Sequence, residues 1–379
     1  MKNPTVIFRI SNACNLDCTY CYDKNNHKHI NKENENILNN MDIIINNLSK
    51  LCYNKDTVSK IIFHGGEPLI INADIYEMLI QRILKEIPNV KFSIQTNGTL
   101  MTQKHMEIFK KYNVKIGISL DGYNEEMNCC RIYSDGTNSF NTVMKKIRQL
   151  KEENIDYGII MTLSNGILGH EKELYKFISE NKIRCNIRPA FSCGSEDYTV
   201  MNSKQYFEFF RNIFDIWIED KEGIELTQIR EIYEQFAKVL KPNCRIGDCA
   251  TSGNCFLNFI SLDVEGNLYS CNRTYNNKNF YYGNINQISI ENLMEKMNSL
   301  QKRRRSYILS SHCKECEIFE ECNGGCPANA FSCCNTIQGV DNFLCDAKIQ
   351  IRHYVKNKLE DLGYIEEYNN KLREGKKDE

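Results

Sequence analysis

The stretch TVIFRISNACNLDCTYC, residues 5–21, decides how the rest of the chain is read. Its first six residues are β-branched or aromatic apart from Arg9, and they predict a short buried strand. The strand runs directly into Cys14, Cys18 and Cys21, three thiols on one loop. Thiolates this close can hold three corners of a cubane iron–sulfur cluster, which normally takes four cysteines. The iron left without a protein ligand then keeps an open position, and open positions are where bound metals do chemistry. The competing reading is a zinc knuckle completed by His27 or His29.

Outward from this stretch the pattern repeats. Strand-like runs recur at 59–64, 89–96, 114–120, 156–163 and 184–191. Helical periodicity fills the intervals at 34–50, 72–87, 102–112, 138–152 and 169–181. Strands alternating with helices predict an α/β fold with a parallel sheet. Six units are too few to close an eight-fold barrel, so a curved partial (β/α)6 barrel is expected. Two more helices follow at 203–220 and 224–240. From Cys244 the chain is cysteine-dense, with a hairpin expected to turn at Glu265-Gly266, and 346–379 is helical and charged. The expected organisation is a barrel (1–200), a helical connector (201–243), a small cysteine-rich domain (244–350) and a C-terminal helix and tail (351–379).

Three further polar motifs end strands: His64-Gly65-Gly66-Glu67-Pro68, Gln95-Thr96-Asn97-Gly98-Thr99 and Ser119-Leu120-Asp121-Gly122. Each alone reads as a plain turn. With the cysteine loop they place four motifs at the C-terminal ends of consecutive strands, the face where β/α barrels build active sites. The paired glycines are expected to let a ligand approach the backbone closely.

Composition narrows the class. Over 379 residues, 48 basic side chains balance 49 acidic ones, so nothing electrostatic points to nucleic acid. No uncharged apolar run is long enough to cross a bilayer, and the N-terminus reads as no secretory signal. A cytoplasmic protein without a membrane partner is expected. In a reducing compartment, 19 cysteines argue for metal rather than disulfides. Their C-terminal spacing is specific: Cys255, ten residues, Gly266, four residues, Cys271, then Cys313-x2-Cys316-x5-Cys322-x3-Cys326, and Cys345 eighteen residues later. A pair of zinc ribbons is the alternative.

The Cys-x3-Cys-x2-Cys loop, with Tyr20 before its last cysteine, resembles the radical S-adenosylmethionine (SAM) superfamily. The C-terminal framework, with its CNGGCPAN and YYGNI segments, resembles the SPASM domain appended to many radical SAM peptide maturases. The resemblance implies three 4Fe–4S clusters and SAM. Cys14, Cys18 and Cys21 would hold the first cluster. Cys255, Cys271, Cys326 and Cys249 would hold one auxiliary cluster, with Cys244 as a rival to Cys249 or one iron left open. Cys313, Cys316, Cys322 and Cys345 would hold the other. SAM contacts are implied at Tyr20, Gly65, Gly66, Glu67, Pro68, Asn97, Ser119 and Arg131, and Arg188 also suits a carboxylate of SAM or substrate.

That resemblance further implies a 5′-deoxyadenosyl radical that oxidatively modifies a ribosomally made, cysteine-rich peptide, with thioether cross-linking as one outcome. The partners implied are a peptide substrate, with or without a leader segment, and an electron donor such as flavodoxin or ferredoxin. With no separate leader-binding region expected, recognition falls to this chain or another protein. Overall the chain is similar to the anaerobic sulfatase maturases, with one departure. Those enzymes carry an aspartate, proposed as base, where this chain has Asn272, and a neutral amide accepts no proton. Formylglycine formation with another base, such as Asp263, is the alternative, and a zinc-rich binding protein is the alternative outside enzymes. The remaining cysteines, Cys52, Cys129, Cys130, Cys185, Cys193, Cys244, Cys333 and Cys334, default to buried small hydrophobes, with Cys193 singled out as substrate-facing. The run Lys302-Arg303-Arg304-Arg305 reads as one solvated helix face, or a dock for an acidic leader.

Overall fold

The computed structural model describes residues 3–24, 32–190, 200–220, 228–241 and 249–375, with side chains to residue 369. Six strands form a parallel sheet: β1 (Thr5–Ser11), β2 (Ser59–Gly65), β3 (Val90–Thr96), β4 (Lys115–Ser119), β5 (Tyr157–Leu163) and β6 (Cys185–Pro189). The helices between them are α1 (Glu33–Asn39), α2 (Met41–Leu51), α3 (Ala73–Glu86), α4 (Gln103–Lys111), α5 (Phe140–Glu152) and α6 (Glu171–Glu180). After β6 come α7 (Ser203–Glu219) and α8 (Arg230–Leu240). This is the α/β partial barrel that the strand–helix alternation predicts.

Strand alternation sorts the side chains. In β2, Ser59, Ile61 and Phe63 are buried on one face, while Ile62 and His64 are only half-buried on the other. The buried face packs aromatics against the helices. Phe63 stacks on Phe92 of β3 at 5.7 Å and meets Tyr76 of α3 edge-on at 5.2 Å. The opposite face lines the concave side, and strand register puts Asp263, Arg9 and His64 in one row there.

The cysteine-rich segment continues the same sheet. It adds β7 (Phe259–Asp263), β8 (Asn267–Tyr269) and β9 (Tyr281–Asn284), giving the order β6-β5-β4-β3-β2-β1-β7-β8-β9. β7 runs parallel to β1, pairing Thr5 with Phe259 through Arg9 with Asp263. The β7–β8 hairpin turns at Gly266, whose φ of +89° is the left-handed conformation expected there. The short helices α9 (Cys255–Asn258), α11 (Phe319–Cys322) and α12 (Pro327–Cys334) carry cysteines, α10 (Ile290–Leu309) lies between α9 and α11, and α13 (Cys345–Asp361) and α14 (Tyr364–Gly375) close the chain. α13 packs on α7, where the Tyr354 hydroxyl donates to Asp215 at 2.5 Å.

Two expectations need correcting. The 34–50 pattern is two helices, broken at Asn40, whose side-chain amide donates to the Asn36 carbonyl at 2.9 Å and competes with the helix for it. The basic run is not one solvated face. Arg304 shares the buried stripe of α10 with Met297, Leu300 and Ile308, three and four residues apart. Its guanidinium donates to the carbonyls of Gly324 (2.9 Å), Gly325 (3.0 Å) and Gly339, so it organises the Cys322–Cys326 turn.

Candidate active site and cysteine centres

The cysteine loop is held from three sides. From β2, the Gly66 and Glu67 N–H groups donate to the carbonyls of Ser11 (2.9 Å) and Ala13 (2.7 Å). A Cβ at Gly65 would lie 2.1 Å from the Ser11 oxygen, and one at Gly66 would lie 2.3 Å from the Ala13 oxygen. The loop backbone therefore lies against the Cβ side of both glycines. From β3, Asn97 donates to Asn15 at 3.0 Å, and Asn15 donates to Thr99 at 2.8 Å. From the far side, the Asp17 and Thr19 N–H groups donate to the carbonyls of Ile132 (2.7 Å) and Cys130 (3.0 Å).

Glu67 ties two of these supports together. One carboxylate oxygen accepts from the Leu69 N–H (2.8 Å) and the Thr96 hydroxyl (2.5 Å), and the other from the Asn97 N–H (2.7 Å). Burial nevertheless raises its pKa, and these three bonds only partly oppose the shift. Ser119 accepts from Gln95 at 3.1 Å, and Gly117 leaves the space that Gln95 fills. Arg131 donates to the Tyr20 hydroxyl at 2.6 Å, and that hydroxyl donates to Asp121. Asp121 was passed over in the sequence except as part of a turn motif. It is buried, lies 4.0 Å from Arg131 and accepts from the Thr162 N–H at 2.8 Å.

Cys18 is buried, Cys14 and Cys21 are half-buried, and the three loop thiols lie close enough to feel one another. Burial pushes up Cys14 and Cys18, and raises Cys21 to about 12, with mutual repulsion adding to the effect. Three desolvated thiols become thiolates only beside strong positive charge, which is what a bound iron–sulfur cluster brings. The residues present therefore fit such a group.

The C-terminal thiols fall into two sets. Burial raises Cys255, and the neighbours that add to it are Cys271, Cys249 and Cys326. Cys313 couples to Cys322 and Cys316, and Cys345, raised by burial to about 11, couples to all three. This second set lines a cavity of about 400 Å³. Among the described residues no three His, Cys, Asp or Glu side chains gather around a point suited to a single metal ion. Cys193, Cys244, His27 and His29 lie outside the described residues. Of the remaining cysteines, Cys52 and Cys185 are buried as expected, whereas Cys129, Cys333 and Cys334 are exposed. Cys129 sits in the segment behind the first loop, and the other two end α12, whose solvent side they occupy.

Residues 8–178 match the Radical SAM superfamily. The chain is a radical SAM enzyme. Over nearly its whole length, this radical SAM enzyme is 27% identical over 387 residues to a cysteine-type anaerobic sulfatase-maturating enzyme of Clostridium novyi (strain NT), covering 96% of this chain and 98% of the relative. Its fold matches native anSMEcpe with bound AdoMet and Cp18Cys peptide at a TM-score of 0.78 and 21% identity, covering 98% and 100% of the two chains. It also matches Streptococcus suis SuiB bound to the precursor peptide SuiA at a TM-score of 0.60 and 15% identity, covering 91% and 76%. Among the described residues no helix is long and apolar enough to cross a membrane.

The position of Asn272 is the most informative part of the radical SAM enzyme's concave face. Asn272 is buried, and its oxygen accepts from Arg9 at 2.8 Å. Its nitrogen donates to the Tyr22 hydroxyl at 2.7 Å and lies 3.2 Å from Nδ1 of His64. Arg9, with no exposed side-chain surface, also donates to Asp23 at 2.7 Å and to Asn12 at 2.9 Å, and stacks on Tyr275 at 3.8 Å. Burial and the nearby Arg9 charge lower the His64 pKa to about 4, so its ring is neutral. Asp263, the alternative base, commits its oxygens to the Asn267 N–H (2.8 Å), the Asn267 amide (3.0 Å) and Tyr275 (3.2 Å). Arg188 lies 3.9 Å from the buried Glu231, at the edge strand β6.

Proposed function

We propose that this radical SAM enzyme is a peptide maturase that oxidatively modifies a ribosomally made peptide, with thioether or other cross-link formation favoured over aldehyde formation. Three 4Fe–4S clusters are assigned: one on Cys14, Cys18 and Cys21, one on Cys249, Cys255, Cys271 and Cys326, and one on Cys313, Cys316, Cys322 and Cys345. When bound, SAM on the first cluster supplies one-electron chemistry able to remove a hydrogen atom from an unactivated carbon. The auxiliary pair suits an oxidative outcome, because a substrate radical must lose an electron to become an oxidised product. Support for a peptide substrate comes from two similar folds that hold peptides.

The chain's own residues position and seal. Gly65, Gly66 and Glu67 lock the first loop onto β2 and β3, and Asn97 and Ser119 border the same rim. Arg131, supported by Tyr20 and Asp121, puts a buried positive charge beside Cys18. The observation that carries the choice of outcome is the amide of Asn272. It is clamped by a cation on one side and by neutral groups on the other, so no carboxylate base stands there. The test is mass spectrometry of a cysteine-containing peptide encoded beside this chain and co-expressed anaerobically with it. Loss of two hydrogens with a cross-link is expected; conversion of a Cys or Ser to an aldehyde would overturn the assignment.

A further inference from the structure

The direction of the Asn272 amide can be read from its partners. Arg9 only donates, so the oxygen of Asn272 must face it and the nitrogen must face Tyr22 and His64. Two consequences follow. The Tyr22 oxygen accepts from Asn272, which leaves its own O–H to point elsewhere. Nδ1 of His64 accepts from the Gly65 N–H at 2.9 Å and faces the second Asn272 hydrogen, so the imidazole proton sits on Nε2. Among the described residues neither the Tyr22 O–H nor the His64 Nε2–H meets an acceptor. Both side chains are half-buried, and both touch one amide nitrogen where β2 meets the segment after Cys271.

We infer that Tyr22 and His64 are paired neutral hydrogen-bond donors, set by Arg9 through Asn272, that receive a carbonyl oxygen of the peptide substrate. The inference rests on the peptide-maturase reading and deepens it. The substrate group here is an acceptor held in place, where an aspartate would take a proton from a thiol or hydroxyl. Arg9, its charge already matched by Asp23, is a positioning residue, and Asn272 relays its direction. An aspartate at 272 would draw the Tyr22 O–H onto itself, removing the tyrosine donor without touching the substrate.

The probe is N-methylacetamide, the smallest peptide-like carbonyl, soaked into anaerobic crystals of the reconstituted holoenzyme with SAM, with ethanethiol as the competing probe. The amide oxygen is expected within hydrogen-bond distance of both Tyr22 Oη and His64 Nε2. Tyr22→Phe and His64→Ala should each weaken amide occupancy roughly three- to tenfold, as for loss of one hydrogen bond. His64→Gln, which keeps a donor, should restore it, and Asn272→Asp should behave like Tyr22→Phe. The inference is overturned if the amide fails to bind there, turns its N–H toward Tyr22, is displaced by ethanethiol, or binds Asn272→Asp as well as wild type. SAM cleavage and visible absorbance of each variant check that the protein is folded and loaded. A peptide that is cross-linked while the amide probe fails rejects the donor pair alone; a peptide converted to an aldehyde rejects the maturase assignment whatever the probe does.

Discussion

Replacing Gly66 with alanine is the sharpest way to test how the first cysteine loop is held. The new Cβ would meet the Ala13 carbonyl oxygen at 2.3 Å and its carbon at 2.7 Å, both rigid backbone. Cβ contacts below 3.0 Å are essentially never seen, so the loop must retreat by at least 3.0 − 2.3 = 0.7 Å. The residue that follows is Cys14. Metal-site distances tolerate about 0.2 Å, so a shift of this size misplaces a ligand outright. Retreat also stretches the bonds from Gly66 to Ser11 and from Glu67 to Ala13. Each buried group left unpaired costs about 1–3 kcal/mol, or about 2–6 kcal/mol for the two bonds. The assay is iron and sulfide content after anaerobic reconstitution, with visible absorbance and SAM cleavage. The variant should lose the iron bound at the first loop, and all SAM cleavage, while keeping iron at the C-terminal sets. Gly158→Ala is the control, because its Cβ would meet only the Arg184 oxygen at 3.7 Å. If Gly66→Ala kept its full iron and cleaved SAM, the steric account of this motif would be wrong.

Other outcomes follow from the same contacts. Glu67→Gln turns an N–H toward one of three donors, and at about 3 kcal/mol net it should lower Tm by about 4 °C if the chain unfolds as one, from an unfolding entropy of roughly 2.1 cal/mol/K per residue. Glu231, raised by burial to about 7 against Arg188's pull, binds its proton in the folded state where the unfolded chain has released it. Stability should therefore fall as pH rises through the window from the usual glutamate value to about 7, by up to about 3 kcal/mol, and Glu231→Gln should flatten the denaturation profile there. Arg304→Met removes the donor to the Gly324, Gly325 and Gly339 carbonyls and should deplete C-terminal iron while sparing SAM binding, read by iron count and equilibrium dialysis. Cys345→Ala should reduce iron at the second C-terminal set only, leaving SAM cleavage measurable by 5′-deoxyadenosine release.

The barrel was legible because its signals are local. Most of the six strands are short β-branched runs, four of them ended by a polar motif, and the observed bounds fall within two residues of the expected ones. The cysteine spacing is likewise plain in the sequence, and the structure brings Cys255 near Cys249, Cys271 and Cys326, and Cys345 near Cys313, Cys316 and Cys322. What the sequence hid depends on partners far along the chain. Nothing local says that β7 pairs with β1, some 250 residues away, or that Arg9 reaches Asn272. Arg304 looked like its basic neighbours, since only the carbonyls of the Cys322–Cys326 turn distinguish it. Gly65 and Gly66 signalled a close approach, but a turn motif does not record that the Ser11 and Ala13 backbone is what lies against them. Asp121 was hidden because aspartate before glycine is ordinary turn chemistry.

The parallel pairing of β7 onto β1 carries a practical warning for anyone dissecting this molecule. β1 is among the most apolar strands, with Val6, Phe8 and Ile10 fully sequestered. A fragment ending near residue 200 would strip away its neighbour and leave a bare row of amide and carbonyl groups on a greasy strand, a template for sticking to other copies. Insoluble expression of such a fragment would thus reflect a raw sheet margin, not a catalytic half that is unable to fold.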